Sequence, residues 1–225
     1  MLLSAEIRWF WRREGAGDVL SWFADERIHG CPPGGGPPAR EDVYLVDRGQ
    51  TELGVKTRGA KEGASSRAGA GRLEVKGLVA LDPDVLASGP FAGPVEIWCK
   101  WPFGGLSPGT AVRCPVRKTR WLRKFDTAGA TPVEIPLGAD EKPREEARRD
   151  RLPATGCNVE VTDLEAEGGD LWLSFGLEAF GVMDTLRNSL RGVTSALAGR
   201  GGLPSLDGGF LLSYPSWIER FAFPS

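Results

Sequence analysis

Val95-Glu96-Ile97-Trp98-Cys99-Lys100-Trp101 has an apolar side chain at every second position, with the charged Glu96 and Lys100 between them. Successive side chains of a β-strand point to opposite faces of the sheet. The segment therefore predicts a strand with one apolar face and one face that carries charges of both signs.

Four further segments repeat this alternation: Ala5–Trp9, Leu53–Arg58, Leu73–Lys76 and Arg117–Trp121. Two arrangements explain so many charged strands. In the first, the charges lie on a solvated sheet face and form cross-strand ion pairs. In the second, the strands close into a barrel whose charged faces surround an anionic ligand. A barrel for an apolar ligand would instead have Trp and Val inside and the charges outside.

Composition favours one domain built mainly from strands. The 225 residues can bury a substantial core, and 31 glycines with 17 prolines divide the chain into short segments. The net charge of −2 argues against a surface that grips nucleic acid throughout, so any anion site must be concentrated in one place. The four cysteines form no CxxC pair, which disfavours zinc and thiol redox chemistry. The one histidine, His29, is expected to be a solvated loop residue.

No stretch reaches the roughly 20 apolar residues of a membrane span. Glu6 and Arg8 come before any apolar leader could form. We therefore expect a cytoplasmic protein without membrane contacts.

Periodicity and turn chemistry divide the chain into elements. Strands are predicted at 3–12, 43–46, 52–58, 72–78, 94–101, 112–125, 158–164 and 171–180. A helical turn is predicted at Asp82–Ser88, a Pro/Gly loop without regular structure at Cys31–Pro38, and a solvated mixed-charge segment at 139–152. Apolar residues at helical spacing predict a helix over 182–198, followed by a docking tail that reaches residue 225.

Lys118-Thr119-Arg120-Trp121 resembles the Lys-Thr-Arg-aromatic strand of the CYTH, or triphosphate tunnel metalloenzyme, superfamily. Leu73-Glu74-Val75-Lys76-Gly77 is similar to the strand of that family ending in Lys-Gly, and Val55–Arg58 to the basic strand before it. The resemblance covers about residues 4–180 and implies an α+β fold. In that fold, an antiparallel, closed or nearly closed barrel of about eight strands, with peripheral helices, forms a tunnel.

The resemblance also implies which residues act in the tunnel. Glu6, Lys118 and Arg120 would be catalytic, and Mg²⁺ or Mn²⁺ would be held by Glu6, Glu160 and Glu178. The phosphate-contact candidates are Arg8, Lys56, Arg58, Lys76, Lys100, Lys118 and Arg120. Glu52, Glu74 and Glu96 share the charged face, where they are expected to pair with neighbouring cations.

The chain departs from the family pattern at three positions. Ser4 and Gly176 stand where the family has carboxylates, and Arg8 stands where it has lysine. Loss of metal ligands would damage hydrolysis before anion binding. Two hypotheses follow: a divalent-metal-dependent hydrolase of a triphosphate-containing substrate, or a protein that binds a small phosphorylated anion without turnover. Nucleic acid is expected to be a ligand only through a triphosphate end.

Overall fold

The computed structural model describes residues 2–58, 72–103, 112–145 and 153–222. Its strands are β1 (Leu2–Arg12), β2 (Gly34–Gly35), β3 (Arg40–Val46), β4 (Leu53–Arg58), β5 (Arg72–Leu86), β6 (Gly93–Phe103), β7 (Val112–Asp126), β8 (Val133–Ile135), β9 (Gly156–Ala166), β10 (Leu171–Gly181) and β11 (Phe210–Leu211). Its α-helices are α1 (Val19–Ala24), α2 (Glu26–His29), α3 (Met183–Gly199) and α4 (Tyr214–Trp217). A 3₁₀ turn at Arg13–Gly15 follows β1, and a π-helical turn at Ile218–Ala222 follows α4.

Eight of these strands form a closed antiparallel barrel, in the order β10-β9-β7-β3-β4-β5-β6-β1, and β1 pairs again with β10. The predicted α+β barrel of eight strands with peripheral helices is confirmed. Closure leaves no exposed sheet edge around the barrel, and it turns one face of every strand towards a common axis.

The alternation of β1 shows which face is inside. Ile7 and Trp9 point outwards into a core that also contains Leu190 and Val193 of α3. Ser4, Glu6 and Arg8 lie on the opposite face and line the barrel interior. The main hydrophobic core therefore lies outside the barrel, between its wall and the helices, so the interior is left to polar side chains. The solvated-sheet and apolar-ligand interpretations are both wrong, because the charges point inwards.

A second core closes one end of the barrel. The C-terminal tail crosses this end, where Trp217 of α4 stacks on Phe10 of β1 at a centroid distance of 5.2 Å. Trp172 and Ile218 belong to the same cluster. The tail predicted to dock does so across the barrel opening, and it supplies side chains to the interior as well.

Three local predictions are wrong. Asp82–Leu86 continues β5 instead of forming a helical turn, because Leu86 pairs with Gly93 and packs with Val85 in the outer core. The register shifts between Asp82 and Leu86, which accommodates Pro83 in the strand. Within the predicted loop, Gly34 and Gly35 pair with β7.

The third wrong prediction is that His29 is a solvated loop residue, because His29 is buried and lies in α2.

One further prediction is confirmed, and another falls partly outside the described residues. The helix predicted to end at Gly199 is confirmed. Of the mixed-charge segment 139–152, residues 146–152 lie outside the described part of the chain.

Candidate functional site

The barrel encloses a cavity of about 570 Å³. Among the described residues, eight cationic and five acidic side chains line it. They are Arg8, Arg40, Lys56, Lys76, Lys100, Lys118, Arg120 and Lys124, with Glu6, Glu74, Glu96, Glu160 and Glu178. A volume of this size fits a small organic or polyphosphate anion.

The structure brings together nearly all residues that the sequence singled out. Every predicted phosphate contact lines the cavity except Arg58, whose side chain lies outside the described residues. The three predicted metal ligands, Glu6, Glu160 and Glu178, also line it. Glu52 does not, because it is exposed in the turn before β4.

Sequence reasoning missed several interior residues. Lys124 continues the alternation of Lys118 and Arg120 on β7 and could have been found by extending that pattern. Arg40 was missed because the predicted strand began three residues too late. Tyr214 carried no signal, since it enters the barrel on the C-terminal tail.

Glu160 links two arginines of the cavity lining. Arg8 Nη2 donates to Glu160 Oε1 at 2.5 Å, and Arg120 Nη1 donates to Glu160 Oε2 at 3.3 Å. Burial raises the pKa of the Glu160 carboxyl, but the two guanidinium groups outweigh burial and hold that pKa below its ordinary value. Glu160 is therefore a carboxylate that fixes two arginines inside the cavity.

Gly176 explains the position of Arg8. The two residues lie opposite each other on β10 and β1, and a Cβ atom on Gly176 would lie 2.5 Å from Arg8 Cζ. The guanidinium therefore lies across the backbone of β10, where any larger residue would displace it. The glycine at 176 and the arginine at 8 therefore belong to one packing arrangement.

Ser4 is the third position that departs from the pattern of the resembled family. Its hydroxyl donates to Glu6 Oε1 at 2.5 Å, and Lys76 Nζ donates to the same carboxylate. Burial raises the pKa of Glu6, but the contacts with Lys76 and Ser4 together lower it by more. The pKa therefore lies below its ordinary value. Ser4 thus supports Glu6 as a hydrogen-bond donor.

Asp42 gathers three cations at the deep end of the cavity, near the C-terminal tail. Its Oδ2 lies 3.0 Å from Lys56 Nζ and 3.5 Å from Lys118 Nζ, and its Oδ1 lies 3.6 Å from Arg40 Nε. Asp42 is fully buried, and Glu74 Oε2 lies 3.6 Å from the same Lys56 Nζ and 3.4 Å from Lys100 Nζ. Among the described residues, two carboxylates therefore share four cations here.

Lys118 is the most perturbed cation of this group. Its Nζ donates to the hydroxyl of Tyr44 at 2.6 Å and lies 3.7 Å from the centre of the Tyr214 ring. Burial lowers the pKa of Lys118 to about 7, although Asp42 opposes the shift. An anion arriving beside Lys118 would favour its protonated form.

Two buried polar atoms of the cavity lining have neither a hydrogen-bond nor an ion-pair partner among the described residues. They are Asn158 Oδ1 and Thr162 Oγ1. Leaving a buried polar group unpaired costs about 1–3 kcal/mol. Their position around one charged cavity is typical of a site that is completed by a bound molecule or by water.

The carboxylates do not fit a metal ion in this arrangement. Glu6 lies in register opposite Glu96 on one side and opposite Glu178 on the other. However, Glu6 is held by Lys76, and Glu160 by two arginines. Among the residues that the structure describes, no three His, Cys, Asp or Glu side chains form a group that could hold a metal. The metal thus remains a hypothesis from the resemblance.

A scan of known protein families finds no match to this chain. A search of the curated proteins also finds no match. In the described ranges, no helix has the length and apolar character needed to span a bilayer. The barrel and its lining are therefore the observations on which a function can be proposed.

Proposed function

We propose that this protein binds a small anion carrying more than one phosphate group inside the barrel. The observation that carries the proposal is the convergence, among the described residues, of eight cationic side chains from six strands on one cavity. With Asp42 and Glu141, the five lining carboxylates make seven acidic groups against these eight cations, so a small positive excess remains to favour an anionic guest.

Phosphate groups suit this lining better than a single carboxylate would. Arg8 and Arg120 offer planar donor sets that match phosphoryl oxygens, and Lys56, Lys76 and Lys100 add point charges from other strands. A phosphate carries up to two charges and three strong acceptor oxygens. Several linked phosphates could therefore contact cations on different strands at once.

Thermal unfolding with tripolyphosphate, in a buffer containing a chelator of divalent metals, tests the proposal. We expect the wild-type unfolding temperature to rise with tripolyphosphate and not with sodium chloride of equal ionic strength. Lys100→Met should reduce the rise, because Lys100 lines the cavity. Arg117→Met should not, because Arg117 lies on the outer face of β7, beside Glu165. Equal rises in both variants would contradict the proposed site.

Hydrolysis of a triphosphate with Mg²⁺ or Mn²⁺ is a second candidate. It would require Glu6 to leave Lys76, so that the row of Glu96, Glu6 and Glu178 across three neighbouring strands could hold the metal. Phosphate release from tripolyphosphate or ATP with either metal tests it, and Glu178→Gln should abolish that release. If tripolyphosphate binds but no phosphate is released with either metal, the protein binds the anion without hydrolysing it.

A further inference from the structure

The carboxylate of Glu141 contacts Arg120, a cation of the cavity lining, from outside the barrel wall. β3 pairs with β7 only as far as Lys118, whereas β2 and β8 pair with residues 121–126 of β7. Arg120 lies at this junction. Glu141, in the loop that follows β8, contacts Arg120 there.

Arg120 and Glu141 form a bidentate ion pair. Arg120 Nε donates to Glu141 Oε1 at 2.8 Å, and Arg120 Nη2 donates to Glu141 Oε2. Arg120 Nη1 donates to Glu160 on the other side. The guanidinium is therefore engaged by two carboxylates, and an anion that uses Arg120 fully must replace one of them.

Glu141 is the easier of the two to replace. Glu160 is buried and also held by Arg8, whereas Glu141 lies in a loop whose neighbours Asp140 and Lys142 are exposed. Glu141 also has a φ of +60°, a left-handed conformation that costs energy in a residue with a side chain. Its departure from Arg120 would let the loop relax.

The base of the loop is fixed, so the movement would be confined to its tip. Leu137 is buried against β7, and Gly138 N donates to Lys142 O at 2.8 Å. Glu141 N donates to Gly138 O at 3.0 Å. These two amides report on whether residues 138–142 keep their turn.

We propose that Glu141 is an internal competitor for the ligand, which displaces it from Arg120 and releases the turn at 138–142. This inference rests on the proposed anion-binding function. The coupling is reciprocal: a turn held by Glu141 weakens ligand binding, and a bound ligand loosens the turn.

Titration with tripolyphosphate, without divalent metal, tests the competition. Glu141→Gln should bind about tenfold more tightly than the wild type, because the charge that competes for Arg120 is gone. Asp140→Asn is the matched control. It removes an equal charge one residue away, where Asp140 pairs with Lys142 and does not contact Arg120. We expect it to change affinity by about twofold or less.

Hydrogen exchange of the Gly138 and Glu141 amides tests the release. Saturating tripolyphosphate should speed their exchange in the wild type and have little effect in Glu141→Gln. If the wild type binds but Glu141→Gln binds no more tightly than Asp140→Asn, or if ligand slows both amides, this inference alone is overturned. If neither the wild type nor Glu141→Gln binds tripolyphosphate, the proposed function fails as well.

Discussion

Arg8 and Gly176 behave as one unit in this barrel. The guanidinium of Arg8 occupies the space above Gly176 and reaches Glu160, which lies opposite Gly176 on β9. Gly176 and Arg8, which both differ from the pattern of the resembled family, thus belong to one packing arrangement. A third, Ser4, adds a hydroxyl donor to Glu6. At the scale of single residues, the interior is adapted to hold arginine–carboxylate pairs.

Gly176→Ala should destabilise the protein by about 1–3 kcal/mol, because the new methyl group displaces the Arg8 guanidinium. Combining it with Arg8→Lys should cost less than the sum of the two single changes, since lysine has no guanidinium to clash. Urea unfolding of the four proteins measures this coupling. Strict additivity would show that the two positions are independent.

Lys118 should make anion binding depend on pH. Its pKa of about 7 means that it is a cation at pH 6 and mostly neutral at pH 8. Lys118→Met should therefore lose more affinity for tripolyphosphate at pH 6 than at pH 8. Comparing the two proteins at each pH cancels the titration of the ligand itself. An equal loss at both values would mean that Lys118 stays charged throughout this range.

At the scale of elements, a buried polar network attaches α1 and α2 to the barrel wall. Arg123 of β7 donates to the carbonyl of Phe23 at 2.7 Å and to Glu134 of β8 at 2.6 Å. Arg200, after α3, donates to Glu134 at 2.5 Å and to His29 Nδ1 at 2.9 Å. His29 therefore accepts at Nδ1 and donates from Nε2 to a backbone carbonyl, as a neutral ring.

Stability should fall as the pH drops from about 6.5 to about 4, because of His29. Burial and the nearby Arg123 and Arg200 lower its pKa from 6.5 to about 4 in the folded state. In this range the unfolded chain binds a proton that the folded protein does not. The free energy of unfolding therefore falls by about 1–3 kcal/mol.

His29→Gln keeps a donor and an acceptor but does not titrate. Chemical denaturation at several pH values should therefore show a flatter profile for this variant between pH 6.5 and 4. Profiles that run parallel would indicate another titrating group.

The sequence predicted the barrel wall well, because alternation is a property of each strand by itself. Glu6, Lys118 and Arg120 could be assigned to one face without knowing their partners. Other features depend on distant contacts. Asp82–Leu86 is a strand only because β6 pairs with it, and Tyr214 joins the cavity only because the tail folds back over β1.

At the scale of the whole molecule, the chain separates its apolar and charged surfaces between two sides of one barrel. The apolar face packs against α3 and the N-terminal helices, while the charged face surrounds the cavity. The tail closes one end with Trp217, and its Tyr214 side chain lies beside Lys118. A net charge of −2 is therefore compatible with a cationic interior, since the acidic excess lies elsewhere.

Calorimetric titration with tripolyphosphate at pH 6, in the presence of a metal chelator, tests the central claim most directly. Lys118 and Arg117 are neighbours on β7 that face the cavity and the exterior, respectively. We predict one bound anion per chain in the wild type and in Arg117→Met, and affinity at least about tenfold weaker in Lys118→Met. Absence of binding, or equal affinity in the two variants, would contradict an anion site inside the barrel.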